Sequence, residues 1–119
     1  MKVLVVGCGA SGKRHINNLI KLDSIEGISV YTKNHDCLKV FGNKDKITVA
    51  GSLDNIAADF ALIANETCKH IDTALFLAAK GMDLFIEKPL SHNQDKMAEL
   101  KKIAKKKKIK IFVGYNLRY

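Results

Sequence analysis

The chain has 119 residues, 47% hydrophobic and 27% charged, with one Pro, eight Gly and a net charge of +8. Its size suits one domain, and its composition is that of a folded globular protein, with too little Pro and Gly for a low-complexity linker. No apolar run approaches the roughly 20 residues that cross a bilayer, and an excess of positive charge by itself argues solubility and non-specific attraction, not a function.

Val3 to Val6 reads as a first, buried strand. The apolar start is too short for the roughly 7–15-residue hydrophobic region of an export signal. The strand runs directly into Gly7-Cys8-Gly9-Ala10-Ser11-Gly12, a G-x-G-x-x-G motif, with an amphipathic helix opening at Gly12. Each glycine has a reason. Gly7 permits the tight turn, Gly9 lets a pyrophosphate approach the backbone, and Gly12 lets helix and strand pack closely. The first helical N–H groups, with the positive end of the helix dipole behind them, then face the phosphates. A helix follows from Lys13 to Leu22, with Ile16, Leu19 and Ile20 on one face.

Ile28 to Thr32 is the second strand, and a short helix is predicted from about His35 to Phe41, with Gly42 as its C-cap. Ile47-Thr48-Val49 is a brief third strand, and Ser52 is placed to cap a single helical turn. Phe60 to Ala64 reads as a fully buried fourth strand. Thr67 is placed to cap the next helix, whose apolar face is Ile71, Ala74, Leu75 and Ala78 and which Gly81 ends. Leu84-Phe85-Ile86 is the fifth strand. Ser91-His92-Asn93-Gln94 has the form of a capping box before a lysine-rich helix, and Ile109 to Gly114 is the sixth strand. Continuous apolar strands alternating with helices imply an α/β fold: a doubly wound, mostly parallel sheet covered on both faces. In such sheets ligands sit beyond the carboxyl ends of the strands.

The residues after the strands are therefore the candidates. After the second strand, where NAD-selective folds place an acid for the ribose 2′-OH, stand Thr32 and Lys33. A hydroxyl and a cation suit a 2′-phosphate, so NADP(H) is expected in preference to NAD(H). Asp36 is the competing candidate, because a different turn would swing it toward the ribose, and an ordinary exposed loop lysine is the plain alternative for Lys33. After the fourth strand come Asn65, Thr67 and His70. After the fifth comes Glu87-Lys88-Pro89, a charged pair at the end of a buried strand with the only proline of the chain; the Lys88–Pro89 bond is open to either isomer. A lysine beside a carboxylate at a nucleotide site is suited to proton transfer.

Cys8, Cys37 and Cys68 are far apart, odd in number and without zinc spacing. They are read as reduced thiols of a cytoplasmic protein, and no metal site is expected. The run Lys101 to Lys108 invites a nucleic-acid reading. Met97, Leu100 and Ala104 recur at helical spacing with Ile103 beside them, however, and no aromatic residue interleaves to stack bases. A solvated helix face is expected, with neither nucleic acid nor membrane as a partner.

The chain resembles the N-terminal domain of the glucose–fructose oxidoreductase / inositol dehydrogenase family. The resemblance runs through Gly7–His15, the loop Ala64–His70, the segment Gly81–Leu90 with its Glu87-Lys88-Pro89, and Val113–Tyr119 with its Asn116 and Arg118. It implies an NAD(P)-dependent oxidoreductase acting on a sugar, a polyol or a sugar nucleotide. By that resemblance Lys88 helps move the proton of a substrate hydroxyl, Glu87 and Pro89 hold it and the nicotinamide, and Ala10 and Ser11 offer backbone to the pyrophosphate. Asn65, Thr67 and His70 line the nicotinamide ribose, and Asn116 and Arg118 close the floor. Two departures stand out: Asn65-Glu66 replaces the usual Thr-Pro, and the acid after the second strand is missing. Family members continue into a second domain that carries most substrate contacts and the oligomer interface, so residues 1–119 are expected to be one cofactor domain of a longer, homo-oligomeric enzyme. The alternative is a stand-alone, non-catalytic dinucleotide-binding regulatory module.

Overall fold

Period-2 alternation along the strands decides the architecture. In β1 (Lys2–Val6), Val3 and Val5 point to one face and Leu4 and Val6 to the other, and all four are buried. A strand apolar on both faces must be covered on both. The computed structural model describes residues 1–42, 45–90 and 94–114. It shows β1 at the centre of a six-stranded sheet with β2 (Gly27–Tyr31), β3 (Ile47–Val49), β4 (Phe60–Ile63), β5 (Asp83–Glu87) and β6 (Ile111–Gly114) in the order β3-β2-β1-β4-β5-β6. Every pairing is parallel, with Val5 opposite Val30 on one side and Leu62 on the other.

One face packs Val3, Val5, Ile28 and Val30 against Ile16 and Leu19 of α1 (Ala10–Ile20), together with Leu38 and Phe41 from the segment after β2. The opposite face packs Leu4, Val6, Ile63 and Ile86 against Ala74, Leu77 and Ala78 of α2 (His70–Ala79) and Leu100 of α3 (Gln94–Lys107). Each fully buried aliphatic side chain contributes about 1.5–3 kcal/mol. On α3 the lysines at 101, 102 and 105–107 are exposed while Leu100 is buried and Met97 and Ile103 are packed on the core, so the basic run is the solvated side of an amphipathic helix. No described helix is long and apolar enough to cross a membrane.

The structure corrects several local expectations. α1 begins at Ala10, ahead of Gly12, because the Gly9 carbonyl already accepts a hydrogen bond from the Lys13 amide (2.9 Å), and it ends at Ile20, before Leu22. The helix over His35–Val40 is a 3-10 turn that leaves through an extended Phe41, with no left-handed Gly42. Ser52 caps no helical turn; its hydroxyl accepts from the Asp54 amide in a local loop (3.0 Å). Thr67 opens a short 3-10 turn over Thr67–Lys69 that feeds α2 and is not a helix cap. The Ser91–Asn93 part of the expected capping box lies outside the described residues.

The largest correction concerns the thiols. Cys8 and Cys37 are joined in a disulfide, and Cys68 alone is free and exposed. The separation of 29 positions in the chain hid the pair. Only the β1–α1–β2 crossover brings the glycine loop over the turn that follows β2, with the two Cα atoms 6.2 Å apart.

Candidate functional site

Strand order reverses on either side of β1: the chain passes from β1 outward to β2 and β3, then returns to β4 on the other flank. The loops leaving the carboxyl ends of β1 and β4 therefore diverge and open a crevice. A cavity of about 620 Å³ lies there. Its wall is made by the glycine loop after β1, Thr32, Lys33 and Asn34 after β2, and Asn65, Glu66 and Lys69 after β4.

The three motif glycines differ in what surrounds them. Gly7 has φ +95°, and a Cβ there would lie 2.5 Å from the Ala64 carbonyl oxygen. A Cβ on Gly12 would lie 2.2 Å from the Gly7 carbonyl oxygen. Both glycines are therefore demanded by the fold. A Cβ on Gly9 would meet nothing within 4 Å. Gly9 faces open space on the cavity wall, a cradle that a side chain would fill. As the N-cap of α1 it provides no side-chain hydrogen bond, and no acidic residue stands in the first turn. The leading amides of α1, in the turn holding Ala10, Ser11 and Gly12, are left for an anion.

Backbone hydrogen bonds fix this loop: the Gly7 amide donates to the Tyr31 carbonyl (2.9 Å) and the Ala64 amide to the Val6 carbonyl (2.8 Å). Across the cavity, Lys69 pairs with Glu66 at 2.7 Å. The hydrogen bond and charge of Lys69, reinforced by the charge of Lys33, hold the Glu66 carboxyl below its ordinary range, and Glu66 in turn raises Lys69. Asn65 lines the cavity and donates from Nδ2 to Thr73 Oγ1 (3.0 Å), while its buried Oδ1 has no hydrogen-bond partner among the described residues. A buried acceptor without a donor is costly, and a ribose hydroxyl would satisfy it.

Other expected site residues lie outside the cavity wall. His70 is buried behind it, its Nδ1 against the Pro89 carbonyl (2.9 Å) and its Nε2 against the Asn65 carbonyl (2.8 Å). The ring clasps the loop after β4 to the loop after β5 instead of facing the cavity. Glu87, expected to hold Lys88, is buried at the end of β5 and accepts from His15 Nε2, with Arg14 Nη2 at 3.5 Å. His15 also meets Phe85 edge-on, with centroids 5.5 Å apart. Glu87 thus ties β5 to α1. Lys88 is exposed just beyond it, and the Lys88–Pro89 bond is cis. Thr67 is half-buried. Asn116 and Arg118 lie outside the described residues. Sequence reasoning missed the roles of Glu66 and Lys69 at the cavity and of His15 and Arg14 against Glu87; for His15, its place as the trailing residue of the glycine-loop motif was the available signal.

A glycine-cradled crevice at the reversal point of a 3-2-1-4-5-6 parallel sheet defines a dinucleotide-binding Rossmann domain. Residues 1–115 match the family described as the oxidoreductase family with an NAD-binding Rossmann fold, and the chain belongs to that family. Among curated relatives, the myo-inositol 2-dehydrogenase of Thermotoga maritima is 25% identical over 126 residues, a match covering all of this chain and 37% of that protein. Among solved structures, GenD2 of gentamicin A biosynthesis, in complex with NAD, superposes with a TM-score of 0.87 at 22% identity, covering 100% of this chain and 35% of that one. The WlbA dehydrogenase of Bordetella pertussis, with NADH and UDP-GlcNAcA, gives a TM-score of 0.82 at 22% identity, covering 96% and 34%. The chain thus spans little more than a third of the length of these relatives.

Proposed function

We propose that the chain is the cofactor-binding domain of a dehydrogenase that moves hydride between a nicotinamide dinucleotide and a hydroxyl or carbonyl of a sugar, polyol or sugar nucleotide. The observation that carries this reading is Gly9: the fold leaves open space where its side chain would stand, beside the unfilled first turn of α1. Packing does not require glycine there; a phosphate at the backbone does.

Gly9, Ala10, Ser11 and Gly12 hold the pyrophosphate with backbone amides, and Gly7, whose own amide is bonded to the Tyr31 carbonyl, makes the turn that presents them. Asn65 Oδ1 accepts from a ribose hydroxyl. Thr32 and Lys33 receive a 2′-phosphate, and Lys69, paired with Glu66, lines the same cavity. No carboxylate follows β2 directly, which removes a repulsion, so NADP(H) is preferred over NAD(H). When bound, the nicotinamide ring gives or accepts the hydride at C4. Lys88 takes or returns the proton of the substrate hydroxyl, and Glu87 and Pro89 fix the strand end that carries it, the former through His15 and the latter through His70. The substrate pocket, a further catalytic group and the surfaces of a homo-oligomer belong to a second domain beyond these 119 residues, and the enzyme works in the cytoplasm.

Calorimetric titration with NADPH and then NADH tests this reading. Tighter NADPH is expected. Tighter NADH would move the ribose contact to Asp36 or Glu66, and no binding of either would remove the reading.

A further inference from the structure

The disulfide falls within the cofactor cleft. Cys8 stands between Gly7 and Gly9, lines the cavity and is 7% exposed. Cys37 lies in the 3-10 turn that follows Thr32 and Lys33 and is 4% exposed. The bond therefore joins the loop that meets the phosphates to the segment behind the loop that meets the adenosine ribose.

That segment has little else to fasten it. It joins no strand ladder, and two of its own hydrogen bonds are long: Cys37 amide to Asn34 carbonyl and Phe41 amide to Leu38 carbonyl, both 3.4 Å. Asn34 Oδ1 adds one cap to the Asp36 amide (3.1 Å). Leu38 and Phe41 anchor the far end in the core. At the near end, next to Thr32 and Lys33, the ties to the glycine loop among the described residues are the backbone bond from the Gly7 amide to the Tyr31 carbonyl and the link from Cys37 to Cys8.

We propose that Cys8 and Cys37 are a reversible redox pair that sets the affinity of the cofactor site. The oxidant is a low-molecular-weight disulfide. The Cys8 thiolate attacks one of its sulfurs and expels one small thiolate. The Cys37 thiolate then attacks the Cys8 sulfur of the mixed disulfide and expels the second. The chain loses two protons and two electrons, and the small disulfide becomes two thiols. In the bonded form the two loops are held in the arrangement that the dinucleotide needs, so less order is lost on binding. In the dithiol form the 3-10 turn is released and affinity falls. The proposal rests on the reading of the cleft as a dinucleotide site.

The test uses the 119-residue chain, reduced with a phosphine or oxidised with oxidised glutathione, and titrated with NADPH and NADH. Oxidation is expected to remove the mass of two hydrogens and leave Cys68 as the one reactive thiol, with peptide mapping showing Cys8 linked to Cys37. The oxidised form should bind about three- to tenfold more tightly, and Cys37→Ser should match the reduced protein under both conditions. Should Cys37→Ser fail to fold, the comparison of reduced with oxidised wild type decides alone. Equal, measurable affinities of the two forms overturn the switch and leave the cofactor site standing. Failure of the Cys8–Cys37 bond to form also overturns the switch. Binding by neither form overturns the site and the switch together.

Discussion

At the β1–β2 end of the cleft the backbone itself makes the site, whereas at the β4–β5 end side chains hold the loops in place. The glycine loop is shaped by a positive φ at Gly7, by the approach of Gly12 to the Gly7 carbonyl, and by amides that bond across to Tyr31 and Val6. The β5 end is held by His70 between two carbonyls and by Glu87 against His15 and Arg14. The first construction tolerates almost no change, because a Cβ at 2.2 Å from a backbone oxygen has nowhere to go. The second depends on hydrogen bonds that are individually worth about 1–3 kcal/mol when buried.

The largest effects should come from the glycines, and they should separate folding from binding. Gly12→Val is expected to cost more than about 4 kcal/mol and to leave no cooperative unfolding transition at room temperature. Gly9→Val should unfold at nearly the wild-type temperature yet lose cofactor affinity by at least about 100-fold in a calorimetric titration, since the valine side chain would fill the space the phosphate takes and that contact is worth on the order of 3 kcal/mol. If the two variants behaved alike, the distinction between the structural and the ligand-facing glycine would collapse.

At the other end of the cleft, His70→Ala removes a buried ring that meets the Asn65 and Pro89 carbonyls and should lower stability by about 1–3 kcal/mol in chemical denaturation. Lys88→Ala should leave cofactor affinity nearly unchanged, because the lysine is exposed and outside the cavity wall. A strong loss of cofactor affinity would mean that Lys88 holds the loop. Lys33→Ala should weaken NADPH about tenfold and leave NADH alone, a difference that isolates the 2′-phosphate contact.

The smallest effect concerns Glu66. Its carboxyl is held below its ordinary value of 4.5 by the hydrogen bond and charge of Lys69. A lowered carboxylate contributes stability above its unfolded value and loses it as pH falls through the folded one. The pair is exposed, so the contribution is small. The melting-temperature gap between wild type and Glu66→Gln should be slight at neutral pH and close below pH 4.5. A gap that widened in acid would contradict the pairing.

Much of this was legible beforehand. All six strands, the two faces of the sheet and the glycine loop follow from apolar runs and motif spacing, because burial on both faces leaves a local mark on each strand. The fate of the lysine run was legible as well, from the helical spacing of Leu100 with Ile103 and Ala104. The less legible features are contacts between residues far apart in the chain. Nothing around Cys8 or Cys37 announces the other, and nothing near Glu87 indicates that its partners lie 72 positions earlier at His15. Spacing could mark His70 as the start of a helix but not as a clasp between carbonyls on two different loops.

By itself the sequence determined the class of fold, the end of the sheet where the crevice opens and the glycines that shape it, since each depends on periodicity or on a backbone conformation written within a few residues. Only the tertiary structure decided that Glu87 turns toward α1, that Lys69 and Lys33 line one cavity and that two of the three cysteines are joined. Those are properties of distance through space, and the crossovers that set such distances depend on the whole sheet.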